Sequence, residues 1–398
     1  MKRLQVLHVI PSVAPQRGGP SRAVVDMVTA LNATDSVEAR ILTTNDDGPG
    51  RLPVACDDWV EHDGVPVWFL DRYSPAFAPV REFAYAAGLS TWLVQHAHTY
   101  DVIHVHALFS YLSSFSMAYA RKRGLPYVAR PIGQLGDWSL SQRRLKKRAY
   151  LALLEQRNLQ GAACLHFTSE LERDEASHLG LRPPAEVIPL GVFAQAPSVG
   201  GPDDFARRFG RLPDTPKVVF LGRLHEKKGL EDLFKAVALL EQPVQLLVAG
   251  TGTQTYVASL RLLTRTLGIE HCVHWLGFVD GADKQLLLAH ADLFALTSHA
   301  ENFGIAVVEA LAAGTPVLVT RGVALAGFVE QQGLGHSCDL DTDAIARALA
   351  QGLSEPARPS AKTRAAIQSK TLQAFGWPGI AGQLVAMYQR LAGGTQRV

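Results

Sequence analysis

The chain predicts an α/β fold made of two doubly wound halves, and three observations carry that expectation. Short apolar runs of strand length alternate with helix-spaced stretches along almost the whole sequence. Its 398 residues are enough for about two domains of ordinary size. A stretch rich in Gly, Pro and Asp, Phe193 to Pro216, separates two such alternating series. Alternation of this kind implies parallel sheets, whose strands read as near-continuous apolar runs because crossover helices cover both faces.

Taken in order, the first series has strands expected at Leu4–Ile10, Ala39–Thr43, Val65–Leu70, Val102–His106, Tyr127–Arg130, Cys164–Phe167 and Glu186–Pro189. Gly18 and Gly19 precede a helix that starts near Pro20 and Ser21, where proline suits a first turn. The second series has strands expected at Val218–Leu221, Val244–Ala249, Val273–Leu276, Leu293–Thr297 and Val317–Thr320. A last helix follows Trp377 and runs to about Leu391. The expected division is therefore residues 1–192, a linker over 193–216, residues 217–375, and a terminal helix over 376–398.

Hydrophobic residues make up 47% of the chain and its net charge is only +2, which describes a globular protein and argues against a general nucleic-acid binder. Cys56, Cys164, Cys272 and Cys338 are far apart, with no C-x-x-C pair, and fit a reduced compartment. The opening "MKRLQVLHVIPS" holds Gln5 and His8 and stops at Pro11, so it reads as a first strand and not a signal peptide. With no spanning apolar stretch, the expected location is cytoplasmic. "DLD" at Asp339–Asp341 stands beside no other acid cluster and reads as a loop and helix cap, not a metal motif.

The chemistry concentrates in "ADLFALTSHAENFGIAVVEALAAGTPVLV", Ala291 to Val319. An apolar run, a polar break, a helix over Ile305–Ala313, Gly314 as its C-cap and a following strand make a βαβ unit. Glu301 stands before the helix, and Glu309 within it among apolar neighbours, where a carboxylate must find hydrogen-bond donors. Sugar hydroxyls are such donors. "FLGRLHEKKGL" follows the first strand of the second half and fixes Arg223 and Lys228 at a strand end, suited to neutralising a diphosphate. His104 and His106 in "DVIHVHALFS" share one strand face, and His106 lies nearer the ligand-binding end. Gly18–Pro20 lacks G-x-G-x-x-G spacing, so a nicotinamide site is not expected.

A glutamate, seven residues and a second glutamate, within "ENFGIAVVEALAAGTPV", resembles the signature of retaining family-four glycosyltransferases, the glycosyl transferases group 1. "GRLHEKKG" resembles that family's G-R-x-x-x-x-K-G motif, and "ARPIGQLGDWSL" with "HFTSELERDEA" resembles its bacterial exopolysaccharide-type members. The resemblance implies the GT-B fold: two Rossmann-like domains facing a cleft, with the C-terminal helix crossing back to the first. It further implies a hexose moved with retention from a nucleotide diphosphate sugar, UDP favoured over GDP, to a polysaccharide or lipid-linked glycan, without a metal.

Matched to the family, Glu301, Arg223, Lys228 and His106 are the expected catalytic set. Glu309, Asn302, Phe303, Gly304 and Ile305, together with Gly18, Gly19, Gly250, Gly277 and Phe278, are expected to hold the donor. Arg130 and Gly133 are acceptor-side candidates, though relatives carry a basic residue where Ile132 stands. A nucleotide-sugar epimerase on the same fold, or a non-catalytic glycan-binding relative, is the alternative.

One local feature stands apart. "SQRRLKKRAYLALLEQRNL" gathers five cations between Arg143 and Arg148. On a helical wheel Leu145, Ala149, Ala152 and Gln156 share a stripe opposite them. This reads as peripheral contact with an anionic membrane, with a solvated helix face as the alternative.

Overall fold

The computed structural model describes residues 2–77, 81–141, 144–194, 200–354 and 358–394. The chain divides into two compact units: Met1–Gly191 with Trp377–Val398, and Val192–Gly376.

The first unit is built on β1 (Leu4–Ser12), β2 (Val37–Thr44), β3 (Asp46–Asp47), β4 (Gly50–Arg51), β5 (Trp59–His62), β6 (Val65–Leu70), β7 (Val102–His106), β8 (Tyr127–Arg130), β9 (Cys164–Phe167) and β10 (Ala185–Val187). Eight of these form one sheet in the order β10-β9-β8-β7-β1-β2-β6-β5, and β3 and β4 pair apart from it. β1 lies between β2 and β7 and is parallel to both, so the strand order reverses there. A reversal of this kind opens a ligand crevice beyond the strand ends. β5 is antiparallel to β6. It was not expected, because a polar edge strand ("WVEH") lacks the apolar run of a buried one.

The helix Gly19–Asn32 buries Val24, Met27, Val28 and Leu31, at helical spacing, on this sheet. The terminal helix Trp377–Gly394 belongs to the same unit and buries Ile380, Ala381, Leu384 and Tyr388. The Trp377 indole fills the place a Cβ on Gly191 would take, 2.4 Å from a ring carbon, which only glycine permits.

The second unit carries β11 (Lys217–Leu221), β12 (Gln245–Ala249), β13 (Val273–Gly277), β14 (Leu293–Leu296), β15 (Val317–Thr320) and β16 (Gly335–Cys338) in the order β13-β12-β11-β14-β15-β16. Every pairing is parallel. β16 ("GHSC") was not expected either, being a polar edge strand.

The expected linker over 193–216 needs correction. Pro202–Phe209 is a helix of the second unit, started by Asp204 Oδ2 accepting from Gly201 N at 2.8 Å. Its one anchor, Phe205, is buried with its ring 5.4 Å from that of His290. A single apolar anchor among charges gives no periodic signal. Residues 195–199 of that stretch, and 395–398 of the terminal helix, lie outside the described residues.

The basic helix also differs from its wheel. Arg144–Tyr150 is α-helical, Leu151–Glu155 makes a π turn, and Gln156–Gln160 returns to α. The inserted residue rotates everything after it, so a single 3.6 period fails. Leu145 and Leu153 point outward, 86% and 79% exposed. Lys147 turns in, donating to Ser139 O at 2.6 Å and lying over the Phe109 ring. Arg143 lies outside the described residues. No helix among the described residues is long and apolar enough to cross a membrane.

Candidate active site

In the second unit the two glutamates are each met by a lysine. β11 ends at Leu221, and the chain then turns through Glu226–Lys228 into the helix Leu230–Ala238. Gly229 is left-handed (φ 61°), and a Cβ there would sit 2.0 Å from Thr297 O. That close approach brings the basic turn against the end of β14. Lys228 Nζ donates to Glu301 Oε2, with both side chains about four-fifths buried. Glu301 itself is fixed by its backbone: its N–H donates to Gly322 O at 2.8 Å, and its carbonyl accepts from Ala324 N at 2.9 Å.

Gly304 (φ 86°) then opens the helix Ile305–Ala312, which is otherwise packed on its Val307, Val308, Ala310 and Leu311 side. Glu309 stands on its partly open face and accepts from Lys284 Nζ at 2.9 Å. Lys284, on the helix Gly281–Ala289, was missed from the sequence. Burial presses its ammonium towards neutrality, but Glu309 and Asp280 outweigh that and raise its pKa. Arg223 is exposed and forms no ion pair with an acid among the described residues. Asn302 and Ile305 are half-buried, whereas the Phe303 ring is buried against Phe375 and serves the core.

Gly250 and Gly277 come together, with Gly250 N donating to Gly277 O at 2.6 Å. They line an open recess of ≈ 560 Å³ with Gln254, Arg261 and Trp275. The Arg261 guanidinium lies 5.0 Å over the Trp275 ring. Phe278, next to this recess in sequence, is 52% exposed. Asp341 caps the helix Thr342–Gly352 by accepting from Ala344 N at 3.0 Å, and Asp339 pairs with Arg321, in line with the loop-and-cap reading.

Gly18, Gly19 and His106 belong to the first unit. Gly18 has φ 85° and ψ −156°, a backbone that requires glycine, and caps the helix begun by Gly19. The turn before it is clamped: Arg17 donates to both oxygens of Asp46, at 2.7 and 2.8 Å, and the buried Arg72 pairs with the same carboxylate.

His106 is fully buried, and both its ring nitrogens are engaged. Arg130 Nη1 donates to His106 Nδ1 at 3.2 Å. His106 therefore carries its proton on Nε2 and donates to His8 Nδ1 at 3.0 Å. A second chain runs from the Tyr388 hydroxyl to His104 Nδ1 (2.8 Å), His104 Nε2 to His166 Nδ1 (3.2 Å), and His166 Nε2 to Ile188 O (2.8 Å). The terminal carbonyl can only accept, which fixes each tautomer along the chain. Burial holds all four imidazoles neutral, with His8 and His166 pushed down to about 3. His8, His104 and His106 are close enough to share a cation, but Arg130 pins the His106 proton on the nitrogen that would have to ligate it.

His106 is thus a member of a buried network, and Arg130, 2% exposed, donates to it. Gly133, at φ 75°, donates to the buried Glu172. A signal was present in the sequence: β1, β7 and β9 each carry an inward histidine.

Two doubly wound units, the second bearing lysine-bound glutamates in the loop and helix that follow β14, describe a glycosyltransferase of the GT-B fold. The chain belongs to the glycosyl transferases group 1 family, which matches residues 203–371, with the glycosyl transferase 4-like domain matching 18–191. It is 30% identical to a D-inositol 3-phosphate glycosyltransferase of Actinosynnema mirum, over 98% of this chain and 97% of that one. It is 23% identical to the GDP-mannose:cellobiosyl-diphosphopolyprenol alpha-mannosyltransferase of Komagataeibacter xylinus, over 98% and 94%. Among solved structures, Anabaena HepE in complex with UDP and glucose has a TM-score of 0.76 at 22% identity, covering 98% and 100%.

Proposed function

We propose that the protein is a retaining glycosyltransferase that moves a hexose from a UDP-sugar to a hydroxyl of a polysaccharide or lipid-linked glycan, working in the cytoplasm. The observation that carries the reading is the Lys228–Glu301 pair, with Arg223 exposed on the same strand-end turn and in no ion pair among the described residues. Glu301 would accept the donor sugar's hydroxyls, and Glu309 those of the ribose. Arg223 and Lys228 would take the growing charge of the leaving diphosphate, where fixed cations act most strongly. The anomeric carbon–phosphate oxygen bond breaks with its electrons going to the diphosphate. The acceptor oxygen bonds to the same face, and its proton passes to the departing phosphate oxygen. UDP is favoured because HepE was solved with it. The Komagataeibacter relative keeps GDP open and supports a lipid-linked acceptor.

The test is sugar release from a panel of UDP- and GDP-sugars, with the anomeric configuration of the product followed by NMR. Release with retention, unchanged in EDTA, is expected, since cations of the chain replace a metal. Inversion, a free epimer without transfer, or loss in EDTA restored by manganese would each overturn part of this reading.

Peripheral membrane contact belongs to the same proposal. Leu145 and Leu153 stand outward near Lys146 and Arg148, a pairing of apolar and cationic groups that suits an anionic leaflet. Each cation near such a surface contributes about 1 kcal/mol. Sedimentation with anionic vesicles at low salt is expected, and its loss when Arg144, Lys146 and Arg148 become glutamine. A wild-type protein that stays in the supernatant would point to a soluble acceptor.

A further inference from the structure

Glu309 and Lys284 face each other from separate helices, each about one-fifth exposed, with Asp280 Oδ1 3.3 Å from the same ammonium. An ion pair this far out of water is weak support for a fold, since desolvation offsets much of its attraction. Its placement is more telling. The pair ties the glutamate of Ile305–Ala312 to the segment that leaves β13 at Gly277, whose backbone lines the recess. Lys284 takes Oε1 of Glu309. A carboxylate held by one oxygen keeps its second oxygen's lone pairs for hydroxyl donors.

We propose that Lys284 is a positioning residue of the nucleotide site, holding Glu309 turned so that its other oxygen receives ribose hydroxyls. The inference rests on the ribose role given to Glu309 above. Lys228 and Lys284 then divide the work: the first serves the glutamate of the sugar, the second the glutamate of the nucleoside.

The test uses the full-length enzyme and titration calorimetry with UDP, 2′-deoxy-UDP and 3′-deoxy-UDP, or the guanosine set if the donor panel selects GDP. Wild type should prefer the ribose form over a deoxy form by about tenfold, the worth of one good hydrogen bond. Lys284→Met should lose most of that preference and raise the donor KM about tenfold with kcat held. Lys284→Arg should restore both.

Glu309→Gln separates the two possible failures. If it leaves the deoxy preference intact, the ribose reading is wrong and the inference falls with it. If it abolishes the preference while Lys284→Met does not, ribose binding stands and the positioning role is wrong. A lowered Tm in Lys284→Met with unchanged discrimination would likewise make Lys284 a mere strut. Lys284→Gln, nearly the same length without the charge, decides the matter should the methionine variant fail to fold.

Discussion

Lys228→Ala is expected to cost more than Arg223→Ala, although both cations are proposed to serve one diphosphate. Arg223 is exposed and has no acidic partner to strand among the described residues. Removing it takes away a contact that strengthens only as charge develops, so kcat should fall by about 10²–10³ while donor KM hardly moves. Lys228 does two things. Its ammonium is already paired with Glu301 at about one-fifth exposure, and truncation leaves that carboxylate buried without a counter-charge. Glu301 then repels the incoming diphosphate. The expected result is a kcat loss of about 10³ or more joined to a raised donor KM.

Lys228→Arg should recover binding before rate, since the longer fork keeps the charge but shifts the geometry. Glu309→Gln gives the contrast: ribose contacts persist through the reaction, so its effect belongs in KM. Steady-state kinetics of the four variants checks the set. Equal kcat losses in Arg223→Ala and Glu309→Gln would remove the distinction between diphosphate and ribose roles.

Which parts of this site were legible in the sequence follows from how each part is encoded. Strands buried on both faces leave a continuous apolar run, and Val65–Leu70, Val102–His106 and Cys164–Phe167 stand where such runs predict them. Edge strands carry polar residues and vanish from that signal, which hid β5 and β16. Glu301, Glu309, Arg223 and Lys228 belong to local motifs in the loops and first helical turns after strands, readable without a fold. Lys284 is not: its meaning comes from an ion pair across 25 positions of chain, and nothing in "GADKQLLL" distinguishes it from a solvated lysine. The same holds for His106. Its strand position pointed to the crevice, but Arg130 and His8 reach it only through sheet register, opposite it on β8 and beside it through β1. Long-range polar partners are set by topology, which local periodicity does not encode.

That buried histidine network makes the first unit the acid-sensitive half of the protein. The folded pKa values of His8 and His166 are pushed down to about 3 from the ordinary histidine value of 6.5, and His104 and His106 move the same way. Above pH 6.5 folded and unfolded forms are equally neutral, and the stability is complete. As pH falls below 6.5 the unfolded chain binds protons that the folded one refuses until about pH 3, so stability is lost across that window. At pH 5 each of the two histidines costs roughly 2 kcal/mol, about 4 kcal/mol together, a large part of the 5–15 kcal/mol typical of a domain.

The second unit's His225, His274 and His336 are also lowered, but they are less than half buried and solvent softens their effect. Tryptophan reports the difference, since Trp59, Trp68, Trp92, Trp138 and Trp377 lie in the first unit and Trp275 in the second. Tryptophan emission of the full chain should therefore red-shift between pH 6 and pH 4.5, ahead of the main loss of helical circular dichroism. His8→Asn keeps an acceptor where Nδ1 stood, His166→Gln keeps a donor where Nε2 gives to Ile188 O, and together they remove two titrating groups, so the double variant should move that transition down by several tenths of a pH unit or more. A transition that stays at the wild-type pH in the double variant, or that coincides with loss of helix in the wild type, would show that other groups govern the acid limit.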